Sequence, residues 1–207
     1  QWNPWGSLDW TLQNSLSAVV TALEEMALTS TSDAWCDGWI AADTLAADAI
    51  RGACKEGLWE GSIAHHLVAS LPANTLLRIA SSMPIRDVDS FAVDDGKCLT
   101  VSSNRGVNGI DGTIATTFGE ATVHQGPVAT LMGDLSFNQD ASAQLTTPHP
   151  TQPTVITVVN NGGGGIFGFL PMRKHSTGFE PWYVTPHEHD IRAICEAAQV
   201  AVYEPDN

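Results

Sequence analysis

The sequence predicts an α/β fold, a parallel β-sheet with helices on both faces. Three observations carry this. Four short apolar runs, at residues 76–80, 99–103, 128–132 and 154–159, have the length of buried strands, and the last two are also rich in β-branched residues. The stretches between them are long enough for the crossovers that parallel strands require. Each run also ends in a polar or glycine-rich cluster: Ser81-Ser82, Asn104-Arg105-Gly106, Gly133-Asp134-Leu135-Ser136, and Asn160-Asn161 followed by four glycines. Strand ends of this composition are where open α/β folds bind ligands.

The elements follow in order. Residues 1–33 open with Trp2, Trp5 and Trp10 and become Ser/Thr-rich at Thr29 to Ser32, with Leu16, Val19, Val20 and Leu23 at helical spacing. They read as the tail of a preceding domain and a linker, and residues 34–207 read as one domain. Asp33 can cap a helix from Ala34 to about Glu56, stopped by Gly57. A second helix, about Ser62 to Leu71, closes at Pro72 and carries His65 and His66, which read as packing or solvated histidines. The first two strands follow, then a small-residue helix from about Gly109 to Thr122. Strand 128–132 leads through a short helix at 138–146, and Pro148, Pro150 and Pro153 break the return to the last strand. This strand–crossover–strand unit is right-handed. His187-Glu188-His189 reads as the charged first turn of a final helix running to about Val200, on which two histidines two apart diverge and cannot share a metal.

A chain of 207 residues suits one domain with a sizeable core. The formal net charge of −14, with nine Lys plus Arg, excludes nucleic acid and acidic membrane surfaces as partners. No run approaches the ~18 apolar residues of a membrane span. Cys36, Cys54, Cys98 and Cys195 form no C-x-x-C pair, so they read as small hydrophobes in a reducing compartment, the cytoplasm or an organellar stroma.

In a parallel sheet the ends of the third and fourth strands lie side by side, so Asp134 and Asn161 meet at one edge. A carboxylate, an amide oxygen and the carbonyls of a glycine loop form an all-oxygen ligand set. Hard cations such as Mg²⁺ prefer oxygen and complete their shell with phosphate oxygens and water. Gly162 to Gly165 let backbone approach a phosphate, and Asp134 reads as the site's only full negative charge. Arg86 and Arg105 come to the same edge from the first two strands. Either alone reads as a surface salt-bridge residue, but two of only six arginines beside a predicted anion site suggest bidentate carboxylate capture.

Gly-Asp-x-Ser, some two dozen residues, then Asn-Asn resembles the diphosphate-and-magnesium motif of thiamine diphosphate enzymes. Ser82-Met83-Pro84-Ile85-Arg86-Asp87, Ser103-Asn104-Arg105-Gly106, Gly109-Ile110-Asp111-Gly112-Thr113, Gly133-Asp134-Leu135-Ser136-Phe137 and Gly163-Gly164-Gly165-Ile166-Phe167 occur in that order. Together they resemble the 2-succinyl-5-enolpyruvyl-6-hydroxy-3-cyclohexene-1-carboxylate synthases of menaquinone and phylloquinone biosynthesis, over roughly residues 60–190. The departures are local: Ser81 for a common Asn, Gly162 for a third Asn or an Asp, and Gln139-Asp140-Ala141-Ser142 for His-Asp-Leu-Asn.

The resemblance implies a thiamine diphosphate-binding fold, here its diphosphate-binding domain. It implies Mg²⁺ or Mn²⁺ held by Asp134, Asn161 and the carbonyl of Gly163, with Gly133, Leu135 and Ser136 also at the cofactor and Ile110 as the wedge that bends it. It implies decarboxylation of 2-oxoglutarate and addition of the succinyl carbanion to isochorismate, the cofactor serving as electron sink. Ser82, Arg86 and Arg105 would bind substrate carboxylates; Ile166, Phe167 and Leu170 would form the dry wall. The intact enzymes are homo-oligomers, at least dimers, activated by a glutamate on an N-terminal domain. No Glu here stands in such a context, so the chain is expected to be a piece of the enzyme with no catalytic residue of its own, incomplete also at its C-terminal end. Two alternatives stay open: another thiamine diphosphate decarboxylase or ligase, such as an acetolactate-synthase relative, and a non-catalytic module that binds diphosphate and Mg²⁺. A nicotinamide-binding fold is excluded because no G-x-G-x-x-G follows the first strand.

Overall fold

The structure, a computed structural model, describes residues 13–26, 33–93, 95–107, 109–174 and 177–205. Trp2, Trp5, Trp10 and the Thr29–Ser32 linker lie outside these. The chain separates into two compact units, residues 1–46 and 47–207. In the first, α1 (Leu16–Glu25) forms where the apolar spacing predicts it, and the Ser15 hydroxyl accepts the N–H of Ala18 at its start. α2 (Asp33–Ala53) begins in the first unit and ends in the second.

The second unit is built on four strands, β1 (Leu76–Ile79), β2 (Thr100–Ser102), β3 (Val128–Gly133) and β4 (Thr154–Val159), in the order β2-β1-β3-β4. Every pairing is parallel: Leu76 is opposite Thr100 and Val128, and Val128 is opposite Thr154. The expected strands and their direction are therefore present. β3 is the longest central strand and is buried from Val128 to Met132, as a strand covered on both faces must be.

The two-residue period sorts its side chains to two cores. Leu77, Ile79 and Ala129 pack with Leu67 and Val68 of α3 (Glu60–Ser70) and with Ile85 and Val88 of α4 (Met83–Phe91). On the opposite face Ala80 and Met132 pack with Ile114 and Phe118 of α5 (Thr113–Val123) and Phe137 of α6 (Asp134–Asp140). Ala143 of α7 (Ala143–Thr146) and Cys195 of α8 (Ile191–Ala197) join that cluster. Helices thus cover both faces. Among the described residues no helix is long and apolar enough to cross a membrane.

Three local expectations change. Residues 83–91, unassigned from sequence, form α4, with a proline at its start where a missing N–H costs nothing. The helix expected at 138–146 is two, because α6 starts at Asp134, where a carboxylate suits the helix dipole, and stops after Asp140. Asp140 then accepts the otherwise orphaned N–H of Ala115 in the first turn of α5, at 2.9 Å. Finally, α8 starts at Ile191 rather than at His187: Asp190 caps it through the N–H of Ala193 at 2.9 Å. Residues 187–189 precede that helix, and Thr185, with φ +46°, turns the chain before them.

Candidate functional site

The carboxyl ends of β1, β3 and β4, with the segments that follow them, enclose a cavity of about 350 Å³. From β3 come Gly133 and, in the first turn of α6, Asp134, Leu135 and Ser136; from β4 come Asn161 and Gly163; from the loop before α5 comes Ile110. Ser82 and Arg86 line it from the β1–α4 side, Arg105 from beyond β2, and Ile166 and Phe167 from the short 3₁₀ helix Gly165–Phe169. The sheet thus brings together every residue that the sequence assigned to the site except Leu170. That residue lies outside the lining and is 42% exposed, because the 3₁₀ turn ends at Phe169 and leads the chain away.

Asp134 is 2% exposed and accepts two backbone hydrogen bonds. Oδ1 takes the N–H of Leu135 at 2.6 Å, and Oδ2 takes the N–H of Gly163 at 2.8 Å. The His187 ring lies alongside, its Nε2 3.2 Å from Oδ2 and 3.2 Å from Nδ2 of Asn138. Its Nδ1 accepts the N–H of His189 at 3.3 Å. His187 was missed because a helix was expected. In the non-helical stretch the two rings stack at 4.8 Å and 21°, since residues two apart share a face of extended chain. The two backbone donors fix the carboxylate and still leave Oδ1 a free lone pair.

The amide of Asn161 donates through Nδ2 to Glu60 Oε1, 2.5 Å away, which leaves its Oδ1 available. The Gly163 carbonyl accepts the N–H of Gly165 at 3.0 Å and retains a second lone pair. The close approach that the glycines permit is largely to the chain itself. A Cβ on Gly163, where φ is +145°, would lie 2.4 Å from the carbonyl oxygen of Val184, and the N–H of Gly164 donates to that same oxygen at 2.6 Å. Ser136 ties Ile110 in place, its hydroxyl donating to the Ile110 carbonyl at 2.7 Å.

Two further carboxylates, Glu60 from α3 and Asp87 from α4, line the cavity, so Asp134 is not its only negative charge. Asp87 closes the Ser82–Asp87 motif but was given no role from sequence, and no local motif marks Glu60. Asp87 is 6% exposed, and burial, then the charge of Glu60, push its carboxyl up to about 6. Ser82 adopts φ +76° and ψ −131°, a conformation that a serine keeps only where its surroundings enforce it. Its carbonyl accepts from Arg86 Nη1 at 2.5 Å. Arg105 is exposed and has no hydrogen-bond or ion-pair partner among the described residues.

Below this rim, Arg78 of β1 is buried and forks onto Glu120 of α5 through two bonds of 2.6 Å. Burial pushes the Glu120 carboxyl up, but the Arg78 hydrogen bonds and charge outweigh it and hold the group below its ordinary range. Arg78 also donates to Asn104 at 3.0 Å, which fixes the loop that carries Arg105.

Among the described residues no group of three or more His, Cys, Asp or Glu is placed to hold a metal, so a cation here must draw on amide and backbone oxygen. The donor set fits that demand. Asp134 Oδ1 keeps a lone pair beyond its bond to Leu135, Asn161 Oδ1 accepts no hydrogen bond among the described residues, and Ser81 Oγ is buried on the same cavity wall with no partner among them. Oxygen-only donors beside two arginines suit Mg²⁺ or Mn²⁺ carrying a phosphate.

No protein-family model matches the chain. Over 187 residues it is 37% identical to a 2-succinyl-5-enolpyruvyl-6-hydroxy-3-cyclohexene-1-carboxylate synthase of Rubrobacter xylanophilus, covering 89% of this chain and 32% of that protein. A synthase of the same name from Salinibacter ruber is 36% identical over 195 residues, covering 93% and 32%. One from Saccharopolyspora erythraea is 39% identical over 168 residues, covering 79% and 30%. The resemblance seen in the motifs therefore extends over most of the chain, which spans about a third of the length of the curated relatives it matches.

Proposed function

We propose that this chain, similar along most of its length to those synthases, is the part of such an enzyme that binds thiamine diphosphate through a divalent cation. The observation that carries the reading is the convergence in one cavity of Asp134, Asn161 and Ile110 with Ser82, Arg86 and Arg105. Asp134 Oδ1, Asn161 Oδ1 and the Gly163 carbonyl would hold Mg²⁺ or Mn²⁺, and Ile110 would support the cofactor. When bound, the cofactor supplies the electron sink for decarboxylating a 2-oxo acid and passing the acyl unit on.

The chain's own residues bind, orient and exclude water. Arg86 and Arg105 offer planar forks to the carboxylates of 2-oxoglutarate and isochorismate, and Ser82 hydrogen-bonds beside them. Ile166 and Phe167 keep that end dry, which strengthens each arginine contact. The product would be 2-succinyl-5-enolpyruvyl-6-hydroxy-3-cyclohexene-1-carboxylate, with CO₂ released. The serine–arginine set favours this over an acetolactate-synthase-like reaction, which would share Asp134 and Asn161 alone.

The test uses an enzyme reconstituted by joining this chain to the part of a relative outside the matched third. Arg86→Ala and Arg105→Ala should leave thiamine diphosphate affinity nearly unchanged. Each should lower kcat/KM for 2-oxoglutarate or isochorismate by about 2–4 kcal/mol, the loss from truncating one side of a buried charge-assisted pair. Arg→Lys should recover little. Equal losses in cofactor affinity, melting temperature and kinetics would mean that both arginines brace the scaffold. Turnover of pyruvate in preference to 2-oxoglutarate would favour the acetolactate-type reading.

A further inference from the structure

Glu60 stands in the first turn of α3, 101 residues before Asn161, yet their side chains meet: Asn161 Nδ2 donates to Glu60 Oε1 at 2.5 Å. The two ends of an amide are opposite in character, whereas an ionised carboxylate only accepts. Glu60 therefore selects one of the two amide orientations, nitrogen toward α3 and oxygen free. No hydrogen bond reaches Asn161 Oδ1 among the described residues.

Gly165 keeps room for this contact. A Cβ there would lie 2.9 Å from Asn161 Nδ2 and 4.0 Å from Glu60 Oε1, so any side chain at 165 displaces the amide. The other oxygen donor is braced as well, since Asp134 accepts the N–H groups of Leu135 and Gly163. Asn161 differs in having no charge to turn it toward a cation. Its usefulness as a ligand depends on being turned beforehand, and Glu60 is the group that turns it.

We propose that Glu60 is a positioning residue: by accepting from Asn161 Nδ2 it presents Asn161 Oδ1, preformed, to the divalent cation. The inference rests on the cation reading of the cavity given above. It adds a residue that binds neither cation nor cofactor, sits in α3, and acts through the orientation of a neutral ligand.

The test is Mn²⁺ uptake by this chain in the presence of thiamine diphosphate, followed by loss of the free-Mn²⁺ paramagnetic resonance signal. Melting curves are recorded on the same samples. Glu60→Ala should weaken Mn²⁺ binding about tenfold or more, as loss of a ligand's outer partner typically does. Glu60→Gln, which loses the charge but keeps an acceptor, should stay within about threefold of the unmodified chain. Gly165→Ala should match Glu60→Ala, and combining them should add little, because both remove one contact. Should Glu60→Ala fail to fold, Glu60→Gln and Gly165→Ala decide the matter. Unchanged binding in Glu60→Ala or Gly165→Ala overturns the role of Glu60 and leaves the cation site standing. Equal losses in Glu60→Gln and Glu60→Ala overturn it too, since charge alone would then be at work. No Mn²⁺ uptake by the unmodified chain overturns the cation reading itself, and the role of Glu60 with it.

Discussion

Asp87 is the residue in the cavity whose ionisation bears most on stability. Its carboxyl titrates at about 6 in the folded chain against an ordinary 3.8, first because it is buried and then because Glu60 repels its charge. A raised carboxyl binds its proton more tightly when folded. Its contribution is therefore fully present below pH 3.8 and is lost as the pH rises through about 6. Asp87→Asn removes the penalty of burying the charge. It should stabilise the chain by about 1–2 kcal/mol at pH 8, allowing for screening at the cavity mouth, and by nothing at pH 3.5. Thermal melts across that range check this; an equal difference at both ends would contradict it. The two carboxylates illustrate what a sequence conceals. Asp134 announces itself through Gly-Asp-x-Ser and the distant Asn-Asn, whereas Asp87, though it closes a motif, shows its burial beside Glu60 only in the fold.

At the level of elements, the site depends on how firmly β1 and the loop after β2 are held. Arg78 points to the α5 face of the sheet, where its planar fork meets Glu120, and its third nitrogen reaches Asn104. Ser102 of β2 adds a bond to Glu120 at 3.2 Å. Arg78→Ala leaves the half-buried Glu120 carboxylate with only the Ser102 hydroxyl and should cost about 2–4 kcal/mol, measured by urea unfolding. Replacing both partners by apolar residues of similar volume should recover most of that loss. A cost under about 1 kcal/mol for Arg78→Ala would place the pair among exposed bridges instead.

The four strands were legible because buried parallel strands read as short apolar runs between crossovers. α4 did carry a signal, Ile85, Val88 and Phe91 at helical spacing, but it is only nine residues long and starts at a serine of positive φ followed by Met83-Pro84. The split between α6 and α7 was hidden: Asp140 serves a different helix, a contact that no local pattern encodes. His187-Glu188-His189 did carry a signal, but an alternation of two fits extended chain and was read on a helix instead. Its outcome is a histidine ring set beside Asp134.

For the whole molecule, the central claim is that the edge where β1, β3 and β4 end takes a diphosphate through a divalent cation. With a formal net charge of −14 the chain repels anions, and three carboxylates line the cavity itself. A diphosphate should therefore bind only with a cation between, and Arg86 and Arg105 alone should not suffice. Calorimetric titration of this chain with thiamine diphosphate, with Mg²⁺ and then with the metal chelated, tests this most directly, with Asp134→Ala alongside. The account predicts binding that requires Mg²⁺, disappears with chelator, and is absent in a normally folded Asp134→Ala. Binding that survives chelation or that mutation, or no binding with Mg²⁺ present, would contradict it.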